Sequence, residues 1–547
     1  MNKPLLCKLL GLIAMLVGAT MVFSLPWALP VCGGQWKYEQ EGFIGLVGAM
    51  LICFVVGFGL RYLGRRAKGQ LFRKEAMAVV GLSWIVATVL GALPYLLSGT
   101  HCSPGKRMTV VDAMFEAQSG FSTTGATVLT ELQDPDLVPR CILFWRSSTH
   151  FLGGLGIIVL FVAILGQGSA GKAMMQAEMP GPSPSSHQSR MQHTAWVLFL
   201  LYAGLNGTLT VLLLLEGLSL FDALCHAFGT MATGGFSTHN ASIGYFMTVE
   251  GLNGPLIEMT ITLFMILAGT NFMLMYLVVL LRPEKLFGDV EWQTYVSVIV
   301  VVTLLVIGFG LYYGDFDGAN GTVSNETDRA AGLPPGDRTQ DDPMETNVGG
   351  AVRFSLFQVV SIMTTTGFCT DDFDRWNSFA RGVLLLLMFV GGCAGSTGGG
   401  MKVIRHILFA KILGLEVEQT FHPSVVRPLR LGGVPVEDQT LRKNILVYFG
   451  LIMAIFAASW LFTITFEPDD TWTDHGYKVE HKLIDAASAV AATLNNIGPG
   501  LGVVGATKNY TNFSWWTKIL FMWLMMIGRL EIFVIVVLFV PGFWRTQ

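Results

Sequence analysis

The sequence predicts an all-α integral membrane protein. Its ten transmembrane helices are two at the N-terminus, then four pseudo-fourfold helix–pore loop–helix repeats around one central pore. Three observations carry this. Hydrophobic residues make up 52% of the 547 residues and charged residues only 13%, against about 25% charged in a typical soluble domain, and the mean hydropathy is +0.55. Ten apolar stretches each reach the roughly 20 residues needed to cross a bilayer core of about 30 Å. Four shorter segments between them are too short or too polar to cross, yet share one pattern. With Lys+Arg 35 against Asp+Glu 38, the net charge of −3 excludes a basic nucleic-acid binder. The low charged fraction excludes soluble enzyme classes.

The spans lie at 5–30, 43–62, 76–98, 143–166, 194–217, 255–281, 294–313, 382–410, 443–466 and 517–541. The first follows Lys3 and Lys8 as a signal peptide would. It is long, and Leu29-Pro30-Val31-Cys32 offers no small-x-small cleavage site, so it reads as a retained helix. Cytoplasmic loops carry the excess of Lys and Arg. Arg61, Arg65, Arg66, Lys68, Arg73 and Lys74 follow the second span; Arg405, Lys411, Arg427, Arg430, Arg442 and Lys443 follow the eighth. These loops and both termini are expected inside. Segment 314–350, with Asp315, Asp317, Asp337, Asp341 and Asp342, is expected outside as a mobile acidic insertion.

The four short segments run at about 112–127, 222–237, 354–369 and 485–500. Aligned without gaps, they place Asp112, Asp222, Phe354 and Asp485 thirteen positions before Gly125, Gly235, Gly367 and Gly498. Those glycines fall 110, 132 and 131 residues apart, an internal repeat of helix, half-helix and helix. The chain divides accordingly. Residues 1–70 hold the two additional helices, 71–170 repeat 1, 190–283 repeat 2, 290–412 repeat 3 with insertion 314–350, and 440–547 repeat 4.

The physics of the unit follows from its residues. Asp at the start is expected to cap the half-helix and suit its positive end. Ser119, Gly229, Ser361 and Ala492 allow close packing. The glycine is expected to end the half-helix and let backbone approach an ion. Irregular backbone at membrane depth is tolerated only when buried in protein or lining an aqueous cavity. Each half-helix enters from outside and aims its negative end at mid-membrane, which favours a cation. The four units share one orientation, as expected for parallel repeats about an axis along the membrane normal. Thr123-Thr124-Gly125, Thr233-Gly234-Gly235, Thr365-Thr366-Gly367 and Asn496-Ile497-Gly498 are the expected selectivity filter. Their carbonyls would replace a cation's hydration shell.

Beside the filter, Gly391-Gly392-Cys393-Ala394-Gly395-Ser396-Thr397-Gly398-Gly399-Gly400 interrupts the eighth span. Six glycines cost about 1 kcal/mol each relative to Ala, so a flexible break is expected. Met401 stands where a phosphate-binding loop needs Lys. Arg529 and Glu531 lie within the last span; two residues apart, they do not face each other, and Arg529 is expected to meet carbonyls of 391–400. His226, Glu116 and Gln358 occupy equivalent half-helix positions, and a packed or solvated His226 is expected rather than a proton relay. Cys102 and Cys141 both fall outside, where a disulfide is open to them; free thiols are the preferred reading. No catalytic arrangement is visible.

The four filter strings, the 391–400 string and the two extra N-terminal helices give the chain a resemblance to the Trk/Ktr/HKT superfamily of potassium transporters. Within it the chain is similar to the bacterial TrkH/TrkG branch, over about residues 40–541. The resemblance implies potassium uptake across the bacterial inner membrane, K+ ions in the filter and no covalently bound cofactor. It implies a homodimer with one pore per protomer, embedded in the lipid bilayer. It also implies a cytosolic ring of TrkA-like nucleotide-binding regulatory subunits, and no nucleic-acid partner. Gly125 stands where some plant relatives that favour sodium carry Ser, which implies potassium here. Gly391, Gly392, Gly395, Gly398, Gly399, Gly400 and Arg529 are the expected gate, directly under the third filter segment. Loops 61–75, 167–193, 282–293 and 402–443 are the expected docking face for the ring. The alternative is a symporter coupling potassium to H+ or Na+. The chain departs from the branch in its long insertion 314–350 and in Phe354, which leaves the third half-helix without an acidic cap.

Overall fold

The computed structural model describes residues 2–30, 38–67, 72–154, 156, 191–316, 348–422, 429–431, 434–436, 439–473, 481–530 and 532–545. Insertion residues 317–347, loop residues 157–190 and Glu531 lie outside the described residues. Among the described residues, six helices are long and apolar enough to cross a membrane: Lys3–Ala28, Gln40–Leu63, Lys74–Leu97, His193–Leu215, Val290–Tyr313 and Arg442–Phe466. At 1.5 Å per residue, a 24-residue helix such as Val290–Tyr313 reaches about 36 Å. A seventh candidate is a bent pair, Gly254–Ala268 and Phe272–Val279, turning by 106°.

In chain order the elements used below are α1 (Lys3–Thr20), α2 (Gln40–Leu63), α3 (Arg73–Gly91), α4 (Val110–Phe121), α5 (Arg140–Gly154), α6 (Met191–Leu215), α7 (Leu220–Met231), α8 (Gly254–Ala268), α9 (Phe272–Val279), α10 (Val290–Tyr313), α11 (Val348–Met363), α12 (Ser378–Leu387), α13 (Val403–Phe421), α14 (Gln439–Phe466), α15 (Lys482–Leu494) and α16 (Trp515–Arg529). Two antiparallel hairpins, His101–Ser103 with Lys106–Arg107 and Leu429–Leu431 with Val434–Val436, lie in connecting segments. Long helix, half-helix and helix recur four times in this order, as α3-α4-α5, α6-α7-α8/α9, α10-α11-α12/α13 and α14-α15-α16.

Three expected spans are not continuous helices. The 382–410 stretch is α12 and α13 with residues 388–402 between them, as its glycines require. The 255–281 stretch breaks at 269–271, where Asn271 caps α9 by accepting from Met273 N at 2.8 Å. The 517–541 stretch ends its helix at Arg529 and resumes at Ile532. Arg529 is therefore a last-turn residue rather than a mid-helix one, where its charge suits the negative helix end.

The half-helices α4, α7, α11 and α15 have 12, 12, 16 and 13 residues, about 18–24 Å at 1.5 Å each. They are too short to cross. Their starts correct the expected caps. Thr109 is the N-cap of α4, and Asp112 sits three residues inside it. Asp112 N donates to Thr109 Oγ1, and Thr109 N donates to the Asp112 carboxylate, each at 3.2 Å, a capping box. Ser219 plays the same part for Asp222 N at 3.1 Å. The third half-helix starts at Val348, so Phe354 lies inside it and was never a cap position. Cys102 and Cys141 are free and buried.

Two apolar cores hold the bundle. One gathers Trp84, Phe115, Trp145 and Phe521 from repeats 1 and 4 together with α1 and α2. The other gathers Tyr202, Ile257, Tyr295 and Phe357 from repeats 2 and 3. The four half-helix C-termini meet between them.

Candidate ion-binding site

Each half-helix ends in the same way. Thr123, Thr233, Thr365 and Asn496 take left-handed backbone, with φ of 53°, 53°, 61° and 56°. The next N–H, of Thr124, Gly234, Thr366 and Ile497, donates to the carbonyl five residues back, on Ser119, Gly229, Ser361 and Ala492, at 2.9, 2.8, 2.9 and 2.9 Å. This is the Schellman closure, with Thr or Asn where glycine is usual. So the terminating residue is two positions before the glycine, not the glycine itself. A β-branched residue held left-handed is costly and persists only where the surroundings fix it, as they do at functional sites.

The glycines then close a ring. Gly125, Gly235, Gly367 and Gly498 are left-handed too, with φ of 80°, 74°, 81° and 95°. A Cβ on Gly125 would meet Gly234 O, one on Gly235 would meet Thr366 O, and one on Gly367 would meet Ile497 O. One on Gly498 would lie 2.5 Å from Thr124 O, which closes the circuit from repeat 4 to repeat 1. Asn496 Nδ2 also donates to Thr124 Oγ1 at 2.9 Å. All twelve sequence-predicted filter residues are thus brought together. A cavity opens beside the ring, lined by the four glycines with Thr127, Ser237, Cys369 and Tyr510. Among the described residues no group of His, Cys, Asp and Glu could hold a metal ion. The ring carries backbone carbonyls with the Thr123, Thr124 and Thr365 hydroxyls and the Asn496 amide beside them.

Residues 388–402 fold as a compact loop against the underside of the third and fourth half-helix ends. Gly391 N donates to Met401 O at 2.7 Å and closes the neck of the loop. Gly399 N donates to Thr365 Oγ1 at 2.9 Å, and Gly399 and Gly400 pack on Asn496 and Asn495. Arg529 donates to Thr397 O in the loop and to Gly153 O and Gly154 O at 2.5 and 2.7 Å on the end of α5. The expected meeting of Arg529 with loop carbonyls is therefore present.

Three features of this loop were missed in the sequence. The α8–α9 bend receives it: Cys393 N donates to Gly269 O at 2.8 Å and Phe272 N to Gly395 O at 3.0 Å. Glu291, in the first turn of α10, accepts from Ala394 N at 2.7 Å and Ile404 N at 3.0 Å. Fully buried Lys402 donates to Ser396 Oγ at 3.3 Å and to Gly398 O. Gly269-Thr270-Asn271, a helix-ending glycine before an N-cap residue, was the legible signal for the bend. His226 is packed as expected, bonded to Asp222 O at 2.8 Å and Ser237 Oγ at 2.9 Å.

Four half-helices whose ends close a backbone ring inside a bundle of apolar helices define a membrane transport protein, one that moves a solute rather than transforming it. Residues 46–545 match the TrkH family model, described as a cation transport protein. The Trk system potassium uptake protein TrkH of Escherichia coli (strain K12) is 35% identical over 552 residues, covering 100% of both chains. TrkG of the same organism is 30% identical over 532 residues and 96% of each. The crystal structure of the potassium transporter TrkH from Vibrio parahaemolyticus covers 100% of both chains with a TM-score of 0.79 and 30% identity. The chain belongs to the TrkH family.

Proposed function

We propose that this protein takes up potassium through the glycine ring, which acts as a selectivity filter in a pore of four parallel repeats and ten membrane crossings. The observation that carries the reading is the closed circuit Gly125–Gly235–Gly367–Gly498, left-handed in every repeat and each with a Cβ position that would meet the strand of the next repeat. Potassium would be held by backbone carbonyls at Thr123–Gly125, Thr233–Gly235, Thr365–Gly367 and Asn496–Gly498. Inward flow needs no chemical coupling, because one charge moved through 100 mV is worth about 2.3 kcal/mol. The 391–400 loop with Arg529 is the gate, lying between ring and cytoplasm. The basic loops around 61–75, 282–293 and 402–443 dock a TrkA-like nucleotide-binding ring. The protein works as a homodimer in the bacterial inner membrane with both termini inside.

The test is tracer rubidium or potassium uptake in cells lacking other uptake systems. Gly367→Asp should abolish uptake while the protein still inserts, since its Cβ would collide with Ile497 O and lie 2.8 Å from Pro499 Cδ. Normal uptake by a well-expressed Gly367→Asp protein removes the third segment from the filter.

A further inference from the structure

We propose that the buried Glu116–Arg146 ion pair is a selectivity-positioning element, which fixes the spacing of the ring by tying three of its four strands to one hub. This rests on the filter reading above. Glu116 Oε1 accepts from Arg146 Nε at 2.6 Å, and the two side chains are 0% and 2% exposed. Neither acts alone. Glu116 also accepts from Thr127 Oγ1 and from Val128 N, both at 2.9 Å, two and three residues after Gly125. Arg146 Nη1 donates to Ser237 O at 2.9 Å, two residues after Gly235, and its guanidinium lies 3.4 Å from the centre of the Phe236 ring. His226 holds the same Ser237 through its hydroxyl. The network then reaches repeat 4: Tyr510 N donates to Thr127 O, and Tyr510 OH donates to Gly498 O, both at 2.8 Å.

Repeat position alone does not account for the pair. Nine residues before the ring glycines stand Glu116, His226, Gln358 and Ala489. Only repeat 1 has a carboxylate there, and Arg146 comes from the helix after it. A buried ion pair is a costly device for stability alone, since apolar side chains of similar volume fill such a site at least as well. Its distinctive property is directional. A bidentate-capable guanidinium and a carboxylate accepting three donors fix both strands at set distances. Discrimination between potassium and sodium depends on the number and placement of carbonyl oxygens, so loosening the hub should change selectivity before it changes throughput.

The experiment compares rubidium and sodium tracer flux, at equal membrane protein levels, for the parent, Glu116→Gln and the doubly neutral Glu116→Gln/Arg146→Met. Glu116→Gln leaves Arg146 buried without its countercharge and can fail to fold; the double variant removes both charges and keeps the volume filled. The expected result is a rubidium-to-sodium ratio at least tenfold below the parent, with rubidium flux retained. A parental ratio in either folded variant overturns the proposal, and so does loss of both fluxes together in a folded protein, which would be a structural role. Failure of the filter reading is a separate outcome: Gly367→Asp would then transport normally whatever Glu116 does.

Discussion

Arg529→Ala isolates the latch between the last helix and the loop. In the parent, the guanidinium bridges Thr397 O in the loop to Gly153 O and Gly154 O at the end of α5. A hydrogen bond to a charged group contributes about 1.5–3 kcal/mol net. Losing the Thr397 bond alone should move the closed-to-open balance of the loop by roughly 10- to 100-fold at 1.4 kcal/mol per decade. Charge repulsion acts in the same direction. A potassium ion passing about 6 Å from a full positive charge meets roughly 3 kcal/mol at an effective dielectric of about 20, less whatever the three carbonyls neutralise. Arg529→Ala should therefore raise basal flux by at least tenfold without the regulatory partner, and Arg529→Lys, whose ammonium can keep one carbonyl contact, should fall between. The assay is rubidium flux into liposomes at matched protein, with monodispersity checked by gel filtration. A monodisperse Arg529→Ala protein with parental basal flux would falsify the latch and leave Arg529 a structural residue.

The remaining predictions concern the loop's other supports and the outer face. Glu291→Gln weakens the grip on Ala394 N and Ile404 N and should raise basal flux severalfold while blunting the response to the partner; an unchanged response in partner titrations contradicts this. Thr365→Val leaves Gly399 N without its 2.9 Å acceptor, a loss of about 1–3 kcal/mol for a buried donor. It should likewise raise basal flux without altering the rubidium-to-sodium ratio, and a changed ratio would place Thr365 Oγ1 in ion binding instead. Outside the spans, the Asp374 carboxyl, whose oxygens accept from Gly502 N at 3.0 and 3.1 Å, is pushed up to about 7. Burial is the main cause, with the Asp372 and Asp485 charges adding and the Gly502 N–H opposing. Its folded form holds a proton that the unfolded chain, near 3.8, has released. This contribution to stability is full below about pH 4 and lost as pH rises through about 7. Thermal unfolding in detergent should show that slope, and Asp374→Asn should flatten it; an identical slope in the variant counts against the assignment.

Much of this architecture is legible in the sequence because it is written as repetition. The thirteen-residue spacing from Asp112, Asp222, Phe354 and Asp485 to the ring glycines aligns all four half-helices, although it mistakes the start of the third. What the spacing cannot reveal is local closure. Glycine reads as the terminator because it accepts left-handed backbone at no cost, yet Thr123, Thr233 and Thr365 take that role under tertiary constraint. The two unexpected helix breaks were hidden for a different reason. Hydropathy registers apolar length, and 255–281 stays apolar through its 106° bend. Glu291 and Lys402 were passed over because one stands near the end of a span and the other just after the glycine string, where a solvated charge is the ordinary reading. Their burial depends on a loop whose path the sequence does not display.

The helix breaks and the proposed gate are one construction. A helix that ends at membrane depth leaves its last carbonyls without partners, and no bulk water is there to satisfy them. The end of α8 supplies Ala268 O and Gly269 O, which accept from Thr397 Oγ1 at 3.1 Å and Cys393 N at 2.8 Å. The end of α5 supplies Gly153 O and Gly154 O, which accept from Arg529. The loop of repeat 3 and the arginine of repeat 4 thus bond carbonyls at helix ends in repeats 2 and 1, where Gly153 O also accepts from Gly156 N at 3.0 Å. Straightening the α8–α9 bend would use Ala268 O and Gly269 O internally and leave the loop unseated. The upper contacts are one-sided by comparison: Thr365 and Asn496 meet the loop, whereas Thr233 Oγ1 turns to Ala232 O at 2.6 Å. In the gate proposed above, a loop joined to the ring through Thr365 and Asn496 would swing aside without dragging all four strands. On that proposal, gating and selectivity should be separable by mutation.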